Sequence, residues 1–128
     1  MSDRKIPAPV SNPEIDAFWE AATKGQLLIK HCDDCDKPHF YPRALCPHCL
    51  SANTRWVPST GQGEVYSYSV NRRVAEPFTI AYVRLDEGVT MLTNLVDCDA
   101  EAIRIGQRVS LVFKPSVDGA PLPMFKPA

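Results

Sequence analysis

Four of the chain's five cysteines fall into two pairs, Cys32-x-x-Cys35 and Cys46-x-x-Cys49. Two residues inside a pair let backbone N–H groups turn toward the sulfurs while both thiolates reach one ion. The ten residues between the pairs can form a hairpin that returns the second pair to the first. Four thiolates at one point suit a closed tetrahedral Zn2+ site with no position left for water, so the metal is structural rather than catalytic. Iron, a redox dithiol and no metal at all are the competing readings. A reducing compartment and the ligand type favour zinc. Four ionised thiolates leave the site with a net negative charge, which Lys30, Lys37 and Arg43 are near enough in sequence to offset. Asp36 and Leu50 follow the two pairs, at positions where glycine often stands. Asp tolerates a left-handed backbone fairly well and Leu less so. With four sulfurs filling the shell, His31, His39 and His48 are expected to be exposed or to surround the ligands.

Little else in the sequence could do chemistry alone. Cys98 sits in a polar loop with no neighbouring histidine or helix start to activate it, and reads as a partly buried small residue. Asp86 and Glu87 read as solvated turn residues, and Glu64 and Glu76 have no visible partner. Neither a nucleophile–base pair nor a Gly-rich phosphate loop is present, which argues against a free-standing enzyme.

The elements that must position these groups are short. Asn12 can cap a helix over about 13–24, with Pro13 in its first turn and Gly25 as terminator. Ile15, Phe18, Trp19 and Ala22 make its apolar face. Such a face docks on its own chain or, alternatively, on a partner, with Phe18 and Trp19 as the contacts. Leu27–Lys30 leads into the cysteine region, and 51–60 reads as a linker. From 61 onward short strands follow at Val65–Arg73, Thr79–Leu85, Val89–Val96 and Arg108–Lys114. A last one at Leu122–Phe125 is expected at an edge because of its prolines. The fold class is therefore mainly β: a helix and zinc ribbon over 1–60, then a five-stranded barrel of the OB-fold kind over 61–128. Trp56 is expected at their junction.

The chain has 128 residues and a net charge of -1. No apolar run reaches the roughly 18 residues that span a membrane. The start, Met1 to Pro9, has no apolar signal-peptide core, so a cytoplasmic location is expected. An alternative function is single-stranded nucleic-acid binding, with Tyr66, Tyr68 and Tyr82 as stacking platforms. Charge opposes it: residues 61–128 carry seven Lys/Arg against eight Asp/Glu.

The order of features is more specific than any one of them. Phe18-Trp19 precedes Gly25-x-Leu27, the first cysteine pair, Phe40-Tyr41-Pro42-Arg43 and Cys46-Pro47-x-Cys49. Trp56, Gly61-x-Gly63-x-Val65-Tyr66-Ser67-Tyr68, Leu85-Asp86-Glu87-Gly88, Ile105-Gly106-x-x-Val109 and Pro123-x-Phe125-x-Pro127 complete it. Over residues 12–127 this resembles the acyl-CoA-associated family, once a domain of unknown function, that joins a rubredoxin-like zinc ribbon to an OB-fold. The resemblance implies a small non-catalytic accessory subunit beside a thiolase-fold enzyme, whether thiolase, hydroxymethylglutaryl-CoA synthase or retro-aldolase. It further implies that ribbon and helix pack on that partner, and that the barrel helps form an acyl-CoA channel. On that reading Arg72 and Arg73, at the end of the first barrel strand, are candidates for the CoA phosphates, because guanidinium forks onto phosphate oxygens. The competing reading is two solvated charges.

Overall fold

The computed structural model describes residues 5–128; residues 1–4 of the expected arm lie outside them. One helix, α1 (Asp16–Thr23), precedes three short strands, β1 (Leu28–Cys32), β2 (Lys37–His39) and β3 (Thr54–Pro58). Five longer ones follow: β4 (Gln62–Asn71), β5 (Phe78–Leu85), β6 (Thr90–Leu95), β7 (Arg108–Ser116) and β8 (Gly119–Pro127). The first three form an antiparallel sheet in the order β2-β1-β3. The other five close into a barrel in the order β4-β5-β6-β8-β7, with β7 pairing back onto β4.

Alternation explains the barrel. On β5, Thr79, Ala81, Val83 and Leu85 point inward, while Ile80, Tyr82 and Arg84 face out. Met91, Thr93 and Leu95 do the same on β6. The front of the chain adds to this core rather than building its own. Phe18, Leu27 and Ile29 join one buried cluster with Val65, Leu85, Val109 and Phe125. Burying a side chain such as Phe18, 2% exposed, contributes roughly 1.5–3 kcal/mol. Trp56, on β3, packs partly buried against the same cluster.

Three expectations need correction. The helix begins at Asp16, not Pro13, because Asn12 builds a turn instead of capping it. Its carbonyl accepts from the Ile15 N–H at 3.0 Å and its side chain from the Glu14 N–H at 2.9 Å. The expected linker at 51–60 contains β3, which pairs with the whole of β1. The last strand is nine residues long and lies inside the closed barrel, not at an edge. Its prolines are tolerated because β7 supplies regular pairing on one side only. On the other side β6 meets it in a single parallel pair, Leu95 with Phe125.

Two contacts tie loops to this frame. The N-terminal arm crosses the β7–β8 turn, where the Ile6 carbonyl accepts from the Val117 N–H at 2.8 Å. Glu87, expected to be solvated, instead takes the Ser59 hydroxyl at 2.9 Å and the Thr60 N–H at 2.8 Å. It thereby clamps the passage from β3 into the barrel.

Candidate metal centre and adjoining cleft

Cys32 closes β1, and Cys35 follows in the tight turn that leads to β2. Cys46 and Cys49 sit in a second tight turn, held by the Leu50 N–H on the Cys46 carbonyl at 2.8 Å and the Cys46 N–H on the Ser51 carbonyl at 2.9 Å. The backbone reverses just after each pair, at Asp36 with φ 57 and at Leu50 with φ 65. All four sulfurs lie within 4.8 Å of one another. Cys32 to Cys49 is 3.6 Å and Cys35 to Cys46 is 3.7 Å. A tetrahedron with Zn–S bonds of about 2.3 Å has S–S edges of roughly 3.8 Å, so the donor set fits a tetrathiolate ion. These separations are far too long for disulfides, whose S–S bond is about 2.05 Å.

The electrostatics point the same way. The Cys35 thiol is pushed up to about 12, first by burial and then by the neighbouring Cys46 sulfur. At Cys46 burial also pushes upward, but the backbone N–H groups of Cys49 and His48 outweigh it and bring the thiol to about 7. The His48 N–H stands 3.3 Å from the Cys46 sulfur. Thiols this crowded resist ionising together, and a divalent cation removes that penalty.

The groups around the centre are arranged differently from the sequence reading. Lys30 is buried, with Nζ 3.3 Å from the Thr54 hydroxyl and 4.5 Å from the centre of the Trp56 ring. Burial lowers its pKa, and Glu14 partly opposes that. Arg43 lies beside Glu14, 3.7 Å from its carboxylate. Lys30 and Arg43 thus have partners of their own, and the sulfurs are met by backbone N–H groups instead. His31 bonds Asp36 at 2.9 Å, and His48 lies 3.3 Å from the Pro38 carbonyl. His39 is the buried one of the three. It is 3% exposed and opposite Lys30 in the β1–β2 register, and burial lowers its pKa, with the Arg43 backbone partly opposing that. Cys98 is partly buried against the core, and its thiol is pushed up by burial and by Asp97 and Asp99. Arg72 bonds Glu101, while Arg73 is exposed in the same loop between β4 and β5.

Beside the ribbon lies a cleft of about 540 Å3. Phe18, Trp19, Phe40 and Tyr41 make its front wall, and Tyr82, Met91 and Leu92 its barrel wall. Leu122, Pro123 and Met124 of β8 also line it, and no lining residue is charged. Phe18 stacks edge-on to Trp19 at 4.8 Å and faces Phe40 at 5.8 Å. The helix face therefore closes on its own chain, with Phe18 turned inward and Trp19 at the cleft. Sequence reasoning missed Tyr41, Tyr82 and Leu92 as parts of one site. The available signal was that Tyr82 and Leu92 are large apolar side chains at outward strand positions, where they are 46% and 58% exposed.

Residues 19–55 match the family model described as "ChsH2, rubredoxin-like zinc ribbon domain", and 56–114 match "ChsH2, C-terminal OB-fold domain". A "DUF35 domain-containing scaffold protein" of Methanothermobacter thermautotrophicus is 32% identical over 95 residues, 69% of this chain and 71% of the relative. A "Probable enoyl-CoA hydratase alpha subunit" of Thermomonospora curvata is 37% identical over 95% of this chain, which spans only 40% of that relative's length. "Benzoylsuccinyl-CoA thiolase subunit BbsA" of Thauera aromatica is 26% identical over 98% of this chain and 97% of its own. Among solved structures, an "Ltp2-ChsH2(DUF35) aldolase" chain superposes with a TM-score of 0.82 at 34% identity, covering 93% of this chain and 98% of its own.

Proposed function

Since the chain belongs to the DUF35 (ChsH2-type) family of zinc-ribbon and OB-fold proteins, we propose that it is a non-catalytic accessory subunit of a thiolase-fold enzyme acting on CoA thioesters. The names of its relatives, a thiolase subunit and an aldolase complex, support a partner of that class. One structural observation carries the reading: among the described residues the chain offers a cleft lined by aromatic, aliphatic and neutral polar side chains, with none of them charged. Asp86 is taken by both terminal guanidinium nitrogens of Arg108 at 2.9 Å, Glu87 is occupied by Ser59 and Thr60, and burial pushes the Cys98 thiol up. The chemistry then belongs to the partner, and this chain shapes the approach of the substrate.

Within that reading each part has a task. Cys32, Cys35, Cys46 and Cys49 hold a structural Zn2+, which supplies a rigid cross-link between the two turns. The cleft contributes an apolar stretch of the acyl-CoA channel, and its uncharged lining suits the acyl part rather than the phosphates. Phosphate contact falls to Arg73, with Arg72 beside it once Glu101 yields. Trp19 and Tyr41, at the mouth of the cleft, meet the partner. Among the described residues no helix is long and apolar enough to cross a membrane. A cytoplasmic location accords with four thiolates kept reduced.

The experiment is co-purification of the tagged chain from its source cell, with identification of the associated polypeptide and elemental analysis of the metal. A thiolase-fold partner and about one zinc per chain are expected, by the closed four-sulfur geometry. A nucleoprotein complex in their place would overturn the reading. In the assembled complex, replacing Arg72 and Arg73 by Ala should weaken CoA-thioester binding several-fold. Unchanged affinity would remove them from the site.

A further inference from the structure

We infer that the metal centre holds up the front wall of the cleft, through a hydrogen-bonded strap that runs from Glu14 through Ala44 and Thr54 to Lys30. This rests on the reading that the four thiolates bind zinc. The wall residues Phe40 and Tyr41 lie on the segment whose two ends are Cys35 and Cys46. That segment has little pairing of its own. Its strand, β2, is three residues long and lies at the edge of the front sheet. Beyond it, residues 40–45 have no regular structure.

What pins this stretch is Ala44, two residues before Cys46. Its N–H donates to the Glu14 carboxylate at 2.7 Å, and its carbonyl accepts from the Thr54 hydroxyl at 3.1 Å. That hydroxyl accepts in turn from Lys30 Nζ at 3.3 Å. Glu14 lies in the turn that opens α1, which carries Phe18 and Trp19 of the same wall. Thr54 and Lys30 lie on β3 and β1, and Thr54 pairs with the metal-binding Cys32. The strap thus connects helix, wall segment and both cysteine turns. Tyr41 leans on Phe18 with ring centres 6.3 Å apart, and on Phe40 at 5.4 Å, so wall and helix are in direct contact.

Two consequences follow by linkage. Releasing the metal frees both ends of the wall segment, so the wall and α1 loosen. Weakening the strap misplaces Cys46, so the metal is held less tightly. Glu14, Thr54 and Lys30 are positioning residues on this account, since none is a ligand.

The test uses the full chain, zinc-loaded and after chelation, with amide hydrogen exchange read by region. Chelation should raise exchange over 37–45 and over α1 while β4 to β8 keep their protection. Unchanged protection of α1 would overturn the inference, as would loss of protection throughout the barrel, which would make the metal a general stabiliser. The second arm measures zinc affinity by competition with 4-(2-pyridylazo)resorcinol. Glu14→Ala and Thr54→Val should bind zinc roughly tenfold more weakly, the scale seen when groups supporting metal ligands are removed. Glu14→Gln, which still accepts from the Ala44 N–H, should stay near wild type. Equal affinities in Glu14→Ala, Thr54→Val and wild type would overturn it. A purified chain without metal would defeat the zinc reading and this inference together. Zinc present with α1 indifferent to it would defeat this inference alone.

Discussion

Leu50 has a left-handed backbone, φ 65, and a side chain 75% exposed that gives little back. An L-residue there costs about 1–2 kcal/mol, against roughly 0.5–1 kcal/mol for the extra freedom a glycine loses on folding. Leu50→Gly should therefore raise stability by about 0.5–1 kcal/mol, seen as a melting temperature higher by a few degrees with zinc stoichiometry unchanged. A lower melting temperature would show that the Leu50 side chain packs usefully. Asp36 shares the conformation, but its carboxylate accepts from His31, so Asp36→Gly should gain less. At this scale the cysteine site was legible because ligand spacing and the turn after each pair are local properties of the chain. The burial of Lys30 and His39 was not. It follows from the register of the front sheet, which sets Lys30 between His39 on β2 and Trp56 on β3, and no local pattern encodes that.

At the level of elements, the clamp by Glu87 and the crossing of the arm are the contacts a strand pattern could not announce. Both are made by turn residues to chain about 28 or more residues away or packed from another segment. Glu87→Ala leaves the Ser59 hydroxyl and Thr60 N–H to solvent. It should cost about 1 kcal/mol, the scale of a hydrogen bond to a charged group discounted for partial exposure, with faster amide exchange at Thr60 as the local sign. Gly119 has a different reason to be glycine: a methyl there would stand 2.3 Å from the Ala8 Cβ. Gly119→Ala should lift the arm off the β7–β8 turn, so that limited proteolysis cuts before Asn12 sooner while the melting temperature barely moves. An unchanged digestion pattern would mean the arm adjusts without leaving. The helix and the existence of the five barrel strands were legible from periodicity, while the outward setting of Tyr66, Tyr68 and Tyr82 was not. The cleft was not, because its two walls come from segments that the sequence separates by about forty residues, Phe40–Tyr41 and Tyr82–Leu92.

For the molecule as a whole, acid sensitivity has an assigned origin. Hydrogen bonds from Arg108 hold the Asp86 carboxyl below its ordinary 3.8, and those from Lys114 do the same for Asp97. A carboxyl depressed in the folded state stabilises it fully above the unfolded value. That contribution is lost as pH falls through the folded value. The melting temperature should fall between about pH 5 and 3 more steeply in the wild type than in an Asp86→Asn, Asp97→Asn double variant. Parallel slopes would remove both ion pairs from the account. The barrel itself closes unevenly. Between β6 and β8 the main chain contributes the Leu95–Phe125 pair and the Val96 N–H on the Phe125 carbonyl at 2.9 Å, supplemented by the Thr93 hydroxyl on the Pro123 carbonyl at 3.0 Å. With prolines at 121 and 123 unable to donate, this is a seam fastened by a few stitches. It runs beneath the cleft, whose lining takes residues 90–94 from one side of the seam and 122–124 from the other, so the barrel's most sparsely paired junction is the one on which the cleft rests.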